Sequence, residues 1–272
     1  LEGETEIQFV DRIVGNLENL IIAEDPSTIA AFIAEPITGA SGVIVPPDGY
    51  YEGIQNVLDK YEIMFWADEV ITGFGRTGSD FGCTTMEIKS PDMMTFAKQL
   101  SSAYMPISAS AIRRDVYEAM IDQSASAGAF GHGYTYSGHP VACAVALRVL
   151  EIYDRDEIFD RASTTGKYLQ EQLSQFSSHP LVGEVRGSGL LAALELVPNK
   201  ELNHQFKDGK VGGVAQKMAQ DNGLLIRTVA GSSIGICPPL IITNNQIDEL
   251  IDKLGDALDK TFHYCQTYNL LT

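Results

Sequence analysis

Apolar positions recur along this chain with two different periods, and the period changes mark its elements. From Glu4 to Ala23 they fall at Ile7, Val10, Ile13, Val14, Leu17, Leu20 and Ile21, the stripe of an amphipathic helix that Pro26 brings to a close. Ala30 to Ile37 reads as a buried strand running into a segment, Glu35 to Pro47, too rich in Gly and Pro to be regular. Asp48 is placed to cap a helix that turns Tyr51, Ile54, Val57, Leu58 and Tyr61 inward. Two short apolar runs, Ile63 to Ala67 and Met93 to Ala97, have the length and residue types of buried parallel strands. Strand, helix and strand in this order predict a right-handed βαβ unit. Ile107 to Ile112 predicts a further strand, and Asp115 opens a helix through Met120.

Residues 124–140 carry no period, and their Gly and Ser content predicts a loop that keeps backbone N–H groups free. His139 and Pro140 start a nearly all-apolar helix, Val141 to Tyr153, expected to connect to a smaller domain, and a helix over Ile158 to Phe176 follows. Short strands are predicted at Val182 to Arg186, Leu190 to Leu196, Leu224 to Val229 and Ser233 to Cys237. A helix from Val211 to Asn222 is closed by Gly223, and a last helix runs from Asn245 to Tyr264. The fold class is therefore α/β. A mainly parallel large-domain sheet is expected over residues 1–145 and a small α+β domain with a partly antiparallel sheet over 146–272.

Composition changes this picture little. With 272 residues, 44% of them apolar, the chain can bury a sizeable core and hold two domains. A net charge of −17 argues against nucleic acid or an anionic membrane as partner, and no apolar run approaches the roughly 20 residues of a membrane span. Cys83, Cys143, Cys237 and Cys265 are scattered without a C-x-x-C pair, which predicts a reduced, cytoplasmic compartment. The opening Leu-Glu-Gly-Glu-Thr has no signal-peptide pattern. His132, His139, His179, His204 and His263 show no metal-ligand spacing, so no metal is expected.

The candidate chemistry lies where the two short strands end. The first ends at Asp68 and the second at Lys98, and in an open α/β sheet the carboxyl ends of strands form the rim of the ligand crevice. A lysine partly desolvated against apolar walls has a lowered pKa and forms a Schiff base with an aldehyde. A carboxylate opposite it keeps a pyridinium nitrogen protonated, which makes that ring an electron sink. Taken singly, an Asp and a Lys at strand ends are ordinary solvated groups. Gly73, Gly75 and Gly78 also spell G-x-G-x-x-G, but Ser79 to Thr85 shows no helical period after the third glycine. The dinucleotide reading is rejected in favour of a wide turn.

Trp66 to Pro106 reads W-A-D-E-V-I-T-G-F-G-R-T-G and, after a loop, M-M-T-F-A-K-Q-L-S-S-A-Y-M-P. This stretch resembles the class III (omega) aminotransferases, which are fold type I pyridoxal-phosphate enzymes. Their pattern is D-E-V-x-x-G-F-G-R-T-G followed some thirty residues later by A-K-G-x-x-S-G-Y-x-P, and here Asp68 and Lys98 stand 30 residues apart. The resemblance implies that Lys98 holds the cofactor as a Schiff base, that Asp68 partners the pyridine nitrogen and that Val70 walls the ring face. Gln99 and Ala103 depart from the pattern, standing where glycines are more common, and each adds a side chain near the cofactor's edge.

Three further segments are similar to the same family. In A-E-P-I-x-G-x-x-G-x-x-x-P-P, Glu35 stands either near the pocket rim or as a carboxylate that orders the loop. H-G-Y-T-Y-S-G-H-P resembles the loop whose threonine reaches the neighbouring subunit's cofactor phosphate. Thr135 matches that residue, the alternative being a turn hydroxyl bonded to its own backbone. G-L-L-I-R-T-V-A-G resembles the region carrying a mobile arginine that grips a substrate carboxylate. Arg227 matches it, at the expected end of a strand, against the alternative of a packed stem with a solvated head. Arg186 is read as structural.

The resemblance implies pyridoxal 5′-phosphate as cofactor and amino transfer from an amine or omega-amino acid to a 2-oxo acid such as pyruvate, with Lys98 also the base for the proton shift. It implies a homodimer or a dimer-based oligomer. Family members carry, before the point where this chain opens, a phosphate-binding loop and an aromatic that stacks on the ring, so the chain covers the C-terminal part of the pattern. Two alternatives stay open: an aminomutase or decarboxylase of the same fold, and a chain inert as it stands for want of the N-terminal half of the site.

Overall fold

In the computed structural model, which describes residues 3–201, 206 and 209–271, the chain divides into two units. One comprises Leu1–Pro36, Pro46–Phe74 and Phe81–Asp156, the other Ile37–Val45, Gly75–Asp80 and Glu157–Thr272. The expected division after residue 145 falls inside a helix of the first unit.

The first unit begins with α1 (Glu6–Ala23), whose start is fixed by a reciprocal cap. The Thr5 hydroxyl accepts from the Gln8 N–H and the Gln8 side chain accepts from the Thr5 N–H. There follow β1 (Ala31–Ala34), α2 (Tyr50–Lys60), β2 (Met64–Asp68), the one-turn α3 (Gly82–Thr85), β3 (Met93–Phe96), β4 (Ala109–Ile112), α4 (Arg114–Ala127) and α5 (Pro140–Arg155). The sheet order is β1-β2-β3-β4, with β1, β2 and β3 mutually parallel and β4 antiparallel to β3. Ile21 of α1 and Tyr51, Ile54, Val57 and Leu58 of α2 pack on Phe65 and Ala67 of β2. Ile54 and Leu58 are almost wholly buried, and each contributes about 1.5–3 kcal/mol over an exposed position. The Tyr51 hydroxyl, carried into this core, donates to the Glu35 carbonyl at 2.6 Å, and burial pushes its pKa up.

Three sequence expectations for this unit need correction. Asp48 does not cap α2: the cap is Gly49, at φ +80°, a left-handed entry that glycine takes without strain, and it lies one residue past the aspartate. The strand expected over Ala30 to Ile37 contracts to β1 and is not buried on both faces. Phe32 and Ala34 pack towards the helices, whereas Ile33 is 57% exposed on the face that no described helix covers. The strand expected over Ile107 to Ile112 is β4, largely exposed at the sheet edge. The helix expected to end at Met120 continues as α4 through Ser124–Ala127. The Ser124 hydroxyl donates back to the Met120 carbonyl at 2.6 Å, so serine extends the helix instead of opening a loop.

The second unit contains α6 (Ile158–Ser174), β5 (Val182–Ser188), β6 (Leu191–Leu196), α7 (Lys210–Asp221), β7 (Arg227–Val229), β8 (Ser233–Ile236) and α8 (Asn244–Thr267). Its sheet, in the order β5-β6-β8-β7, is antiparallel throughout, not partly so. Leu194 and Leu196 of β6 and Ile234 of β8 are fully buried, as are Leu169 and Leu173 of α6, Ala215 and Ala219 of α7, and Ile247, Leu254 and Leu258 of α8. No helix among the described residues is long and apolar enough to cross a membrane. His204 lies outside the described residues.

Candidate active site

β2 and β3 are hydrogen-bonded parallel neighbours, with Asp68 opposite Thr95. Their carboxyl ends therefore share one edge of the sheet. Asp68 is the last residue of β2, and Lys98 follows β3 after a single residue, Ala97. Asp68 is half-buried and its Oδ1 accepts the Val70 N–H at 3.0 Å, a two-residue turn that keeps Val70 beside the carboxylate. Trp66 stands two residues before Asp68 on the same face, and its indole N–H donates to Thr95 Oγ1 at 2.6 Å, fastening the two strands just behind that edge. Lys98 differs from the sequence expectation of a lysine desolvated by apolar walls. It is exposed, and among the described residues its amine has no hydrogen-bond or ion-pair partner. The Asp68 carboxylate likewise has no cation beside it among the described residues.

The backbone that carries Lys98 is strained. Lys98 opens a 3-10 turn, Lys98–Leu100, at φ +39°, and Ser102 and Ala103 lie at +48° and +64°. Conformations of this kind cost side-chain-bearing residues of order 1–3 kcal/mol each. The turn closes with the Ala103 N–H donating to the Lys98 carbonyl at 3.4 Å and the Ser102 N–H to the Gln99 carbonyl at 3.2 Å, the paired pattern of a helix C-terminus that favours glycine in its left-handed positions. This explains the departure at Ala103, where an alanine occupies a glycine conformation. Ala103→Gly is accordingly expected to raise stability by about 0.5–1 kcal/mol, read as a higher urea midpoint with an unchanged slope. Gln99 has no positive φ, so a side chain there costs no backbone strain.

Glu69, the residue after Asp68, serves a different purpose. It is 1% exposed and accepts three hydrogen bonds, from Thr72 Oγ1 at 2.5 Å, the Gly82 N–H at 2.9 Å and the Cys83 N–H at 2.7 Å. The wide turn after β2 thus closes on a buried carboxylate that satisfies the first N–H groups of α3. Gly82 is required there, since a Cβ would lie 2.6 Å from Thr72 Cβ and 2.8 Å from Pro36 Cβ. Burial, and after it the neighbouring Glu69 charge, pushes the Cys83 thiol pKa up, so this is an inert core cysteine. No helix opens at Gly78, in keeping with the rejection of a dinucleotide fingerprint. Sequence reading passed over Glu69. The available signal was the set of small residues, Thr72, Gly73 and Gly82, spaced to wrap a side chain.

Arg76 was missed as well. It is 6% exposed and its Nη1 donates to the Leu190 carbonyl at 2.9 Å and the Pro238 carbonyl at 2.6 Å, pinning Gly75–Asp80 within the second unit. Arg186 is a structural residue there, paired with Glu184 at 2.8 Å and Glu195 at 2.7 Å, its Nε donating to the Gly42 carbonyl at 2.9 Å. Arg227 does not end a strand but opens β7, and its side chain is exposed. Thr135 lies in an exposed turn closed by the Ser137 N–H on the Tyr134 carbonyl at 2.9 Å, and its own hydroxyl bonds no described residue. Glu35 is half-buried where β1 gives way to its loop. The structure therefore brings Asp68, Val70 and Lys98 to one sheet edge, while Thr135 makes no bond to any of them among the described residues.

A mainly parallel sheet with an acid and an amine at its carboxyl edge is the large-domain architecture of fold type I enzymes. The family Aminotransferase class-III matches residues 2–258, and the chain belongs to that family, whose members use pyridoxal 5′-phosphate. It is 49% identical over 262 residues to gamma aminobutyrate transaminase 1, mitochondrial, of Solanum lycopersicum, covering 96% of this chain and 50% of that protein. Gamma aminobutyrate transaminase 3, chloroplastic, of the same plant is 49% identical over 260 residues, covering 95% and 50%. Among solved structures, the omega transaminase from Pseudomonas jessenii in complex with PMP matches with a TM-score of 0.94 at 47% identity, over 97% of this chain and 58% of that one. The chain thus spans about half the length of the curated relatives it matches.

Proposed function

We propose that this chain carries the lysine and the ring-nitrogen carboxylate of a pyridoxal 5′-phosphate-dependent amino transfer, from an amine or omega-amino acid to a 2-oxo acid such as pyruvate. The observation that supports it is the pair of unpartnered groups at one sheet edge. Among the described residues, an amine with no counter-ion and a carboxylate bonded only to the Val70 N–H fit the aldehyde and the ring nitrogen of that cofactor. When bound, the cofactor supplies an aldehyde for imine exchange and a ring that takes up the electron pair released at the substrate carbon. Lys98 would hold the cofactor's aldehyde, and its amine would carry a proton at the substrate carbon. Asp68 keeps the ring nitrogen protonated and Val70 packs on the ring face.

Thr135, with its free hydroxyl on an exposed turn, suits a phosphate contact in a partner subunit, which makes the working unit a dimer or a dimer-based oligomer. Arg227, exposed at the start of β7, suits bidentate capture of a substrate carboxylate. The relatives named as gamma aminobutyrate transaminases favour an omega-amino acid donor. For compartment we propose the cytoplasm, on the free thiols Cys83, Cys143, Cys237 and Cys265, although the names of the relatives place those proteins in mitochondria or chloroplasts.

The test is product formation by the purified protein supplied with pyridoxal 5′-phosphate, gamma-aminobutyrate or a simple primary amine, and pyruvate. Alanine is expected to accumulate only when pyruvate is present. Carbon dioxide release without alanine would contradict amino transfer and favour a decarboxylase.

A further inference from the structure

The strained turn that carries Lys98 is almost entirely self-contained. The Leu100 N–H donates to the Ala97 carbonyl at 2.9 Å, the Ser102 and Ala103 amides close the turn as above, and the Ser101 hydroxyl donates to the Met105 carbonyl at 2.6 Å. Side-chain-bearing residues at positive φ cost energy, so three of them persist where contacts from the surrounding structure add to the bonds internal to the turn. Among the described residues, one side chain from another element bonds residues 98–103. Tyr153, near the end of α5, is 7% exposed, and its hydroxyl donates to the Gln99 carbonyl at 2.7 Å. The same hydroxyl lies 3.1 Å from Ser102 Oγ and 3.4 Å from Gln99 Oε1.

This contact is placed to act on Lys98. The Gln99 carbonyl belongs to the peptide that follows the one joining Lys98 to Gln99, so fixing it restricts rotation on the C-terminal side of the lysine. The Ser102 contact fixes the other end of the same turn. A glutamine at position 99, where the family pattern more often has glycine, adds a side-chain oxygen to the cluster. The tyrosine is one of the buried residues of α5, with Ala142, Ala146 and Val149.

We infer that Tyr153 is a positioning residue for Lys98: its buried hydroxyl ties α5 to the Gln99 carbonyl and so holds the lysine in its left-handed conformation at the sheet edge. The inference rests on Lys98 being the cofactor lysine, as proposed above. Tyr153 itself touches neither cofactor nor substrate in this account.

Tyr153→Phe keeps the ring and its packing and deletes only the hydroxyl. Hydrogen–deuterium exchange of the cofactor-free protein is expected to speed up about 5- to 10-fold at the amides of residues 100–104, the factor that one lost hydrogen bond produces, with peptides over β2 and the N-terminal half of α5 unchanged. In the protein loaded with pyridoxal 5′-phosphate, the pH midpoint of the Lys98 adduct's absorbance should shift in the variant. Ser102→Ala should give a smaller acceleration at the same amides. Unchanged exchange over 100–104 overturns the inference, and so does acceleration spread equally over β2 and α5, which is the mark of a merely structural tyrosine. If the unsubstituted protein forms no adduct at Lys98, the reading of Lys98 fails and the positioning role falls with it, whatever the exchange shows.

Discussion

Lys98→Ala is expected to abolish both the borohydride-reducible adduct with pyridoxal 5′-phosphate and turnover, while leaving the fold intact. The substitution removes the group that forms the covalent bond and the group that moves the proton. A positioned proton-transfer residue alone contributes about 10²–10⁴ in rate, so the combined loss should be at least about 10⁴-fold. Stability should change by no more than about 0.5 kcal/mol, because the Lys98 side chain is exposed and makes no bond that alanine would forfeit. Of the other lysines, Lys60, Lys217, Lys253 and Lys260 are each engaged with a carboxylate, Glu18, Asp221, Glu249 and Asp256 respectively. Comparing the rate of alanine formation and the urea midpoint of the two proteins checks both halves. Turnover within tenfold of the parent would contradict the assignment.

Glu69→Ala should have the opposite signature, a large loss of stability. Removing the carboxylate strands the Thr72 hydroxyl and the Gly82 and Cys83 N–H groups in a buried site. An orphaned buried polar group costs about 1–3 kcal/mol, and with partial rehydration the total should reach about 3–5 kcal/mol, a large share of an ordinary unit's stability. Glu69→Gln should cost less. It retains one acceptor oxygen, but the amide nitrogen that replaces the other faces donors. Equilibrium denaturation measures both variants, and Glu69→Ala within 1 kcal/mol of the parent would show that the turn does not depend on this carboxylate. Asp68 and Glu69 are adjacent carboxylates with separate roles, set by strand alternation: one side chain faces the sheet edge, the other is folded into the turn beneath it.

Much of this was legible in the sequence wherever a period and a boundary signal agreed. α1 and α8 were legible close to their true ends from their apolar stripes, and the structure adds the capping boxes at Thr5 and Thr243 that start them. The carboxyl ends of β2 and β3 were legible too, as each apolar run stops at a charged residue. What escaped depended on partners distant in sequence or on backbone conformation. The exposure of Ile33 reflects which face the helices cover. The extension of α4 depends on a serine bonding back to Met120, and Gly49 displaces Asp48 as a cap because the chain enters α2 left-handed. Arg227 was assigned to the wrong end of its strand because apolar residues 224–226 look like strand but do not join the ladder. Within the site, Asp68 and Lys98 could be placed at the strand ends from the sequence, whereas Val70 was singled out only by the family resemblance. Arg76 could not be picked out, since nothing local distinguishes its buried charge from a solvated one, and the only sign of Glu69 was the small residues Thr72, Gly73 and Gly82 around it.

The central claim is that Lys98 is the residue that bonds the cofactor. It is tested most directly by mixing the purified protein with pyridoxal 5′-phosphate, reducing with borohydride and mapping the modified peptide by mass. The account predicts a single pyridoxyl group on Lys98, in the peptide between β3 and β4. A protein modified at any other lysine, or at none under conditions where a related transaminase is trapped at its own, would contradict it.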